Sequence, residues 1–301
     1  MAISSLERVQ SRINGSQNPL LRIFQFARRW PLIPALILLL LVVCGLFAPI
    51  ISPHDPLKAD IRARNEGPFW AEEGSTNHLL GTDQQGRDIL SRVIHGARIS
   101  LIVAFTVLVI AGIVGVSLGM IAGYFGGWLD EGIMRFMDLQ LAIPFILVAL
   151  VVVIVVGQSF EIVVLLLAAN AWSGYARLVR AETLQIRSTD YVALAQVAGA
   201  STLRILAKHI FPGVVNTVLV VATLQVGSLI LAESILSFLG AGIPPPTPAW
   251  GLMIADGRTY LSTAWWVAFF PGVAIFLTVF AFNFLGDWLR DKLDPRLRQL
   301  E

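Results

Sequence analysis

One carboxylate stands inside a long apolar run: Glu233, in VVATLQVGSLILAESILSF (220–238), while Asp138 and Glu161 lie near the ends of other apolar stretches. A charge at bilayer depth costs several kcal/mol unless it is neutralised, paired or wet, so such a residue is a candidate for a proton or ion pathway. Glu233 carries two readings: a pathway or gate residue acting with Ser237, or a carboxyl satisfied by Ser234, Ser237 or backbone near the outer face. The second is the more economical, because a lone acid without a basic partner or a second acid makes a poor relay. ATP binding and hydrolysis through a Walker loop are excluded more firmly. A phosphate-cradling G-x-x-x-x-G-K-[ST] loop needs a Lys after a Gly, and the three Lys residues, Lys58, Lys208 and Lys292, follow Leu57, Ala207 and Asp291. His54 and His78 sit 24 positions apart with no companion ligands at metal-site spacing, and they read as surface histidines rather than a zinc centre. The single Cys44 has no partner for a disulfide, metal or redox pattern, and it reads as apolar filler. Nothing in the chain resembles a catalytic triad, a paired-carboxylate hydrolase or a nucleic-acid binder, and the net charge of +2 agrees.

The elements that hold these residues are set by composition. The chain has 301 residues, 56% hydrophobic and 14% charged, with a mean hydropathy of +0.73. That is too apolar for a soluble globule of this length. A bilayer core takes about 20 helical residues to cross, and six apolar runs meet that need, near 32–51, 99–122, 136–156, 160–178, 213–238 and 265–286. The expected fold class is all-α, a polytopic membrane protein of six transmembrane helices. The first run begins too late and runs too long for a cleavable signal core, and it is expected to remain as an anchor.

Cytoplasmic loops retain Lys and Arg during insertion. The stretch 1–31, Arg135, the loop 177–212 and the tail after 286 together carry fifteen of these cations, and the opposite side carries seven. Both termini are therefore expected in the cytoplasm. The layout is a cytoplasmic tail 1–31, a first span 32–51, an external loop 52–98, a five-helix core 99–288 containing a cytoplasmic loop 177–212, and a tail 289–301. The external loop is rich in Pro, Gly and charge and too poor in apolar periodicity to build its own core.

The loop 177–212 carries the densest signal, YVALAQVAGASTLRILAKHIFP at 191–212. Ser188, Thr189 and Asp190 offer N-caps for a helix starting near Tyr191, with Val192, Ala195, Gln196 and Gly199 on one face. Gly199, Ala200 and Ser201 break the run, and Ser201 caps a second short helix, 202–210, expected to end against Pro212. Small residues at the turn would admit another protein's backbone, and Arg204 and Lys208 would hold it in register. An amphipathic hairpin lying on anionic headgroups fits the same residues.

A resemblance separates these readings. Ala193-Leu194-Ala195 with Gly199, and Phe211-Pro212 beginning twelve positions on, is similar to the EAA loop of binding-protein-dependent ABC importer permeases, with Ala193 in place of the usual Glu and Phe211 in place of the usual Leu. Four further blocks, GTDQQGRDILSRVIHGARISL (81–101), AGYFGGWLDEGIMRFMDLQLAIPFIL (122–147), SFLGAGIPPPTPAWGLMIADG (237–257) and FPGVAIFLTVFAFNFLGDWLRDKLDPRL (270–297), resemble the dipeptide, oligopeptide and nickel branch, and specifically its C-type second membrane subunit. The resemblance implies the type I ABC importer permease fold and a place in the bacterial inner membrane. It implies a second related permease subunit, two ATPase subunits that bind ATP and Mg while this chain binds no cofactor, and an external substrate-binding protein. By the same resemblance Tyr191, Ala193, Leu194, Ala195, Gly199, Ala200, Arg204 and Pro212 would form the coupling loop, with Ala195 and Gly199 at the points of close approach. Members of the branch carry peptides, nickel chelates, glutathione and some sugars, with peptides the commonest.

The other blocks have local readings. Gly81, Gly86, Arg87 and Asp88 form a capped turn into the second span, with Arg87 and Asp88 placed to pair. Gly123, Gly126 and Gly127 with Asp130 form a cytoplasmic turn, and Arg135 can pair with Asp138. Pro244, Pro245, Pro246 and Pro248 stiffen an external loop tipped by Trp250, and Trp265 and Trp266 read as interfacial anchors.

Overall fold

The computed structural model describes residues 31–72 and 74–293, and the tail readings at 1–30 and from 294 onward lie outside them. Ten α-helices follow in order among the described residues: α1 Leu32–Ile51, α2 Ile89–Phe125, α3 Gly127–Ala142, α4 Phe145–Val156, α5 Phe160–Arg187, α6 Asp190–Val197, α7 Thr202–Ile205, α8 Phe211–Phe238, α9 Trp250–Gly257 and α10 Trp266–Leu293. Isolated bridges at Gly67–Gly74 and Thr82–Asp88 are the only β pairing among them. Five helical stretches are long and apolar enough to cross a membrane, and a sixth crossing requires the bent pair α3–α4.

Capping residues, rather than the edges of the apolar runs, set the helix ends. α2 begins ten residues before its apolar run because Asp88 caps it, its Oδ2 accepting from Ser91 N at 2.7 Å. α5 is capped by Ser159, whose Oγ accepts from Ile162 N at 3.2 Å. The third span departs from the single helix expected over 136–156. It breaks at Ile143–Pro144 with an 81° bend. Pro144 supplies no N–H to the preceding turn, and the residue before a proline is pushed out of the α region; Ile143 sits at φ −98°, ψ 126°.

Pro212 has the opposite outcome. The second short helix was expected to end against it, yet the chain stays helical from Thr202 to Phe238. A π-turn at Leu206–Ile210 widens the spiral so that Phe211 N–H donates to Leu206 O, five residues back. The wider turn relieves the clash between the proline ring and the preceding carbonyl that would break a regular helix.

Lipid is as apolar as leucine, so helices in a bilayer associate by close packing rather than by the hydrophobic effect. α2 and α5 show how. Gly115, Gly119 and Gly123, four residues apart on α2, face α5 so closely that an added Cβ would meet Trp172 O at 2.4 Å, Ala176 O at 2.7 Å and Thr183 Cβ at 2.7 Å. Gly123 therefore lies inside the α2–α5 seam rather than in the turn, and Gly126, at φ +65°, ends α2. Around this seam Val107, Ala111, Val163, Leu167, Tyr175 and Val179 form the main core. A second cluster gathers α1, the start of α2, α9 and α10. The outward faces stay apolar, as with Leu36, Leu39 and Ile50 of α1, which is the expected pattern for helices solvated by acyl chains.

Charges close both ends of the bundle. At one end Arg180 of α5 grips Asp130 of α3, with Nη2 to Oδ2 at 2.6 Å, Arg177 pairs with Asp138 at 3.2 Å, and Arg135 pairs with Glu131 rather than with Asp138. At the other end the segment 52–88 folds back over α9 and α10.

Candidate functional site

The turn between α6 and α7 is built on a buried base with an exposed crest. Val192, Ile205 and Ile210 are buried in the main core, and Tyr191 Oη donates to His209 O at 3.3 Å, so both short helices are anchored to the ends of α5 and α8. Gly199 joins them at φ +77°, a left-handed conformation that only glycine adopts without strain. Gly199 N donates to Gln196 O at 3.0 Å and Ala200 N to Ala195 O at 3.0 Å, closing α6 in a Schellman turn. Ser201 caps α7 as expected, its Oγ accepting from Arg204 N at 3.4 Å. Thr189 holds the N-cap position of α6 without a side-chain cap bond.

Ala193, Leu194, Gly199, Arg204 and Pro212 are exposed, and Ala195 and Ala200 are half-buried beside them. A Cβ at Gly199 would meet nothing within 4 Å, so within this chain the residue is required for backbone conformation and not for close packing. The crest also holds two residues that sequence reasoning passed over: Val197, 87% exposed, and Leu203, 76% exposed, apolar like Leu194 and flanking the same turn. Their signal was available as apolar residues on the face opposite Val192, but with only eight residues in α6 the inward and outward faces could not be told apart by periodicity.

Glu233 is 1% exposed in α8. Ser237 Oγ donates to its Oε1 at 2.6 Å, Ser234 Oγ reaches Oε2 at 3.5 Å, and Ser237 Oγ in turn accepts from Ile243 N at 3.2 Å. This chain ties the end of α8 to the turn that follows. Gly251 of α9 fits beside it where a Cβ would strike Ser234 O at 2.1 Å.

The opposite end of the bundle corrects three local readings. Arg87 pairs with Asp83, Nε to Oδ2 at 2.6 Å, and reaches Asp256 of α9 at 3.5 Å, instead of pairing with Asp88. Trp250 is buried rather than at a loop tip; its Nε1 donates to Val93 O at 2.9 Å and its ring lies against Gly96. Trp266 is buried too, donating to Thr82 O at 3.0 Å, which leaves Trp265 as the exposed member of the pair. His54 and His78, far apart in sequence, stand with ring centroids 4.7 Å apart over Asp88. Sequence spacing could not reveal this, because the α1–α2 connection folds back on itself between them.

Residues 115–299, more than half of the chain, match the family described as binding-protein-dependent transport system inner membrane component. The chain belongs to that family. It is 43% identical over 263 residues to the di/tripeptide transport system permease protein DppC of Pseudomonas aeruginosa, covering 87% of each chain. It is 40% identical to the dipeptide transport system permease protein DppC of Bacillus subtilis, covering 87% of this chain and 81% of that one. To the glutathione transport system permease protein GsiD of Escherichia coli it is 43% identical, covering 88% and 86%. Among solved structures, the inward-facing MetNI methionine ABC transporter contains a chain that superimposes with a TM-score of 0.56 at 18% identity, covering 68% of this chain and 98% of that one. The permease is thus a multi-pass inner-membrane protein and a membrane subunit of an ATP-binding cassette importer.

Proposed function

We propose that this permease forms half of a peptide translocation pathway and takes its power from separate ATPase subunits that dock on the α6–α7 turn. The single observation that carries the docking reading is the crest of Leu194, Val197 and Leu203, apolar and exposed at the end of the bundle, on short helices whose inner faces are locked into the core. A rigid apolar crest of this kind fits a protein partner. Its coupling to α5 and α8 through Val192, Ile205 and Ile210 lets a pull on the turn tilt whole spans.

In this reading the turn, the α2–α3 junction and both termini face the cytoplasm. A second, related permease completes the pathway, and a binding protein delivers substrate to the opposite face. ATP and Mg are held by the ATPase subunits and not by this chain. The substrate class is a short peptide, glutathione included, on the strength of relatives whose names specify di- and tripeptides and glutathione. The test is Gly199→Asp in the assembled importer. Forcing a residue with a Cβ into φ +77° costs on the order of 1 kcal/mol of backbone strain, and the aspartate puts a charge on the crest. Complex assembly is expected at normal levels with peptide uptake at least tenfold lower. Undiminished uptake by a normally assembled complex would refute the docking reading.

A further inference from the structure

We infer that His54, His78 and Asp88 form a binding site for a divalent first-row transition metal, with Zn²⁺ the best match, at the end of the bundle opposite the α6–α7 turn. His78 Nδ1 lies 3.0 Å and His54 Nδ1 3.8 Å from the same oxygen, Asp88 Oδ1. All three donor atoms lie within 4.8 Å of one another. Tetrahedral Zn²⁺ binds imidazole nitrogen and carboxylate oxygen at about 2.0–2.2 Å, which places neighbouring donors about 3.3 Å apart. The two separations from Asp88 Oδ1 bracket that value, and the third is no more than 4.8 Å. Two imidazoles and one carboxylate suit zinc and its neighbours and disfavour calcium or magnesium, which prefer all-oxygen sets.

The surroundings have the form of a prepared site. The two oxygens of Asp88 are divided: Oδ2 accepts from both Ser91 N and Ser91 Oγ at 2.7 Å, which leaves Oδ1 to the two rings. Ser91 Oγ also accepts from His54 N at 3.0 Å, so one serine orients two of the three ligands. Outer partners of this kind set ligand direction and contribute to metal affinity. Asp88 is buried, 1% exposed, yet no Lys or Arg pairs with it among the described residues. Burying a carboxylate is costly unless it is hydrogen-bonded or paired; beyond its cap bonds Asp88 faces only the two imidazoles, and a divalent cation between them would add the compensating charge. His54 is 40% exposed and borders an open recess with Ser52 and His95, so one of the three ligands is accessible from outside.

The ligands come from the chain just after α1, from the loop near residue 78 and from the first cap of α2. Metal would therefore cross-tie the folded-back segment that also carries the Arg87–Asp256 and Trp266–Thr82 contacts.

The experiment uses the full importer complex, purified through a tag without histidines, stripped with chelator, then titrated with Zn²⁺ and separately with Co²⁺. Metal analysis is expected to find one more equivalent of zinc per permease in the wild type than in the His54→Gln/His78→Gln double variant. Co²⁺ is expected to give visible d–d absorption in the wild type and none in either single variant. Zn²⁺ is expected to raise the unfolding midpoint of the wild type only. His54→Gln guards against a folding artefact, because the fold uses the backbone N–H of His54 and its ring is half exposed. Equal zinc in wild type and double variant, or Co²⁺ spectra that do not distinguish them, would overturn the inference and leave the three residues a hydrogen-bonded cluster only.

Discussion

Arg87 and Asp83 are both buried, and they meet in a bond of 2.6 Å four residues apart, with Arg92 3.6 Å from the same carboxylate oxygen. Breaking a buried pair strands the remaining charge, at a cost of about 3–5 kcal/mol. Asp83→Ala is therefore expected to lower the unfolding midpoint of the detergent-solubilised complex sharply, and Arg87→Lys only in part, because Lys lacks the forked donor set. Glu233 belongs to another class. Its partners are hydroxyls, Ser237 at 2.6 Å and Ser234 at 3.5 Å, and a glutamine amide can replace both, its oxygen accepting from Ser237 and its N–H donating to Ser234 Oγ. Glu233→Gln is expected to keep uptake within about twofold of wild type, since each hydrogen bond is worth about 1 kcal/mol and none is lost. An uptake collapse in this variant would instead mark the carboxylate as part of the pathway. Glu233 was visible in the sequence as a charge inside an apolar run, and Arg87 as part of a capped turn. Ser234 and Ser237 were legible there as groups able to satisfy Glu233; Asp256 was not legible as a partner of Arg87, because it lies 169 positions away, nor was the Ile243 amide that donates to Ser237 Oγ once the chain turns after α8.

Among elements, the α2–α5 seam is the most tightly specified. Three glycines four residues apart put backbone against backbone over two turns, and Ala176 O would lie 2.7 Å from a Cβ at Gly119. Backbone cannot yield as a side chain can. Gly119→Leu is expected to separate α2 from α5 and cost upwards of about 1–3 kcal/mol, the usual range for overpacking. The check is complex yield and protease resistance after solubilisation, with Gly112→Leu as control, since a Cβ at Gly112 meets nothing within 4 Å. The length of the spans was legible from the apolar runs, and their ends less so, because Asp88 and Ser159 decide where α2 and α5 begin. Two prolines acted in opposite ways. Pro144 broke the third span by 81°. Pro212 did not interrupt the helix, because a π-turn precedes it.

For the whole molecule, the proposal assigns sides. With Cys44 replaced by Ser, a single cysteine at Ala198 is expected to react with an impermeant maleimide only in inverted vesicles, and one at Ser75 only in intact spheroplasts; the reverse pattern would turn the permease over and remove its docking surface. Both sites lie outside the spans. The sequence by itself determined that this is a polytopic helical membrane protein. A hydrocarbon core demands internally bonded helices about 20 residues long, and their composition is plain in one dimension. It also carried the α6–α7 turn, because capping residues and a left-handed glycine are local signals. Which apolar residues of that turn face outward, and the meeting of His54, His78 and Asp88, were decided only by tertiary structure. Those arrangements depend on which surfaces the helices bury and on how the α1–α2 connection folds back, and neither is encoded in local periodicity or spacing.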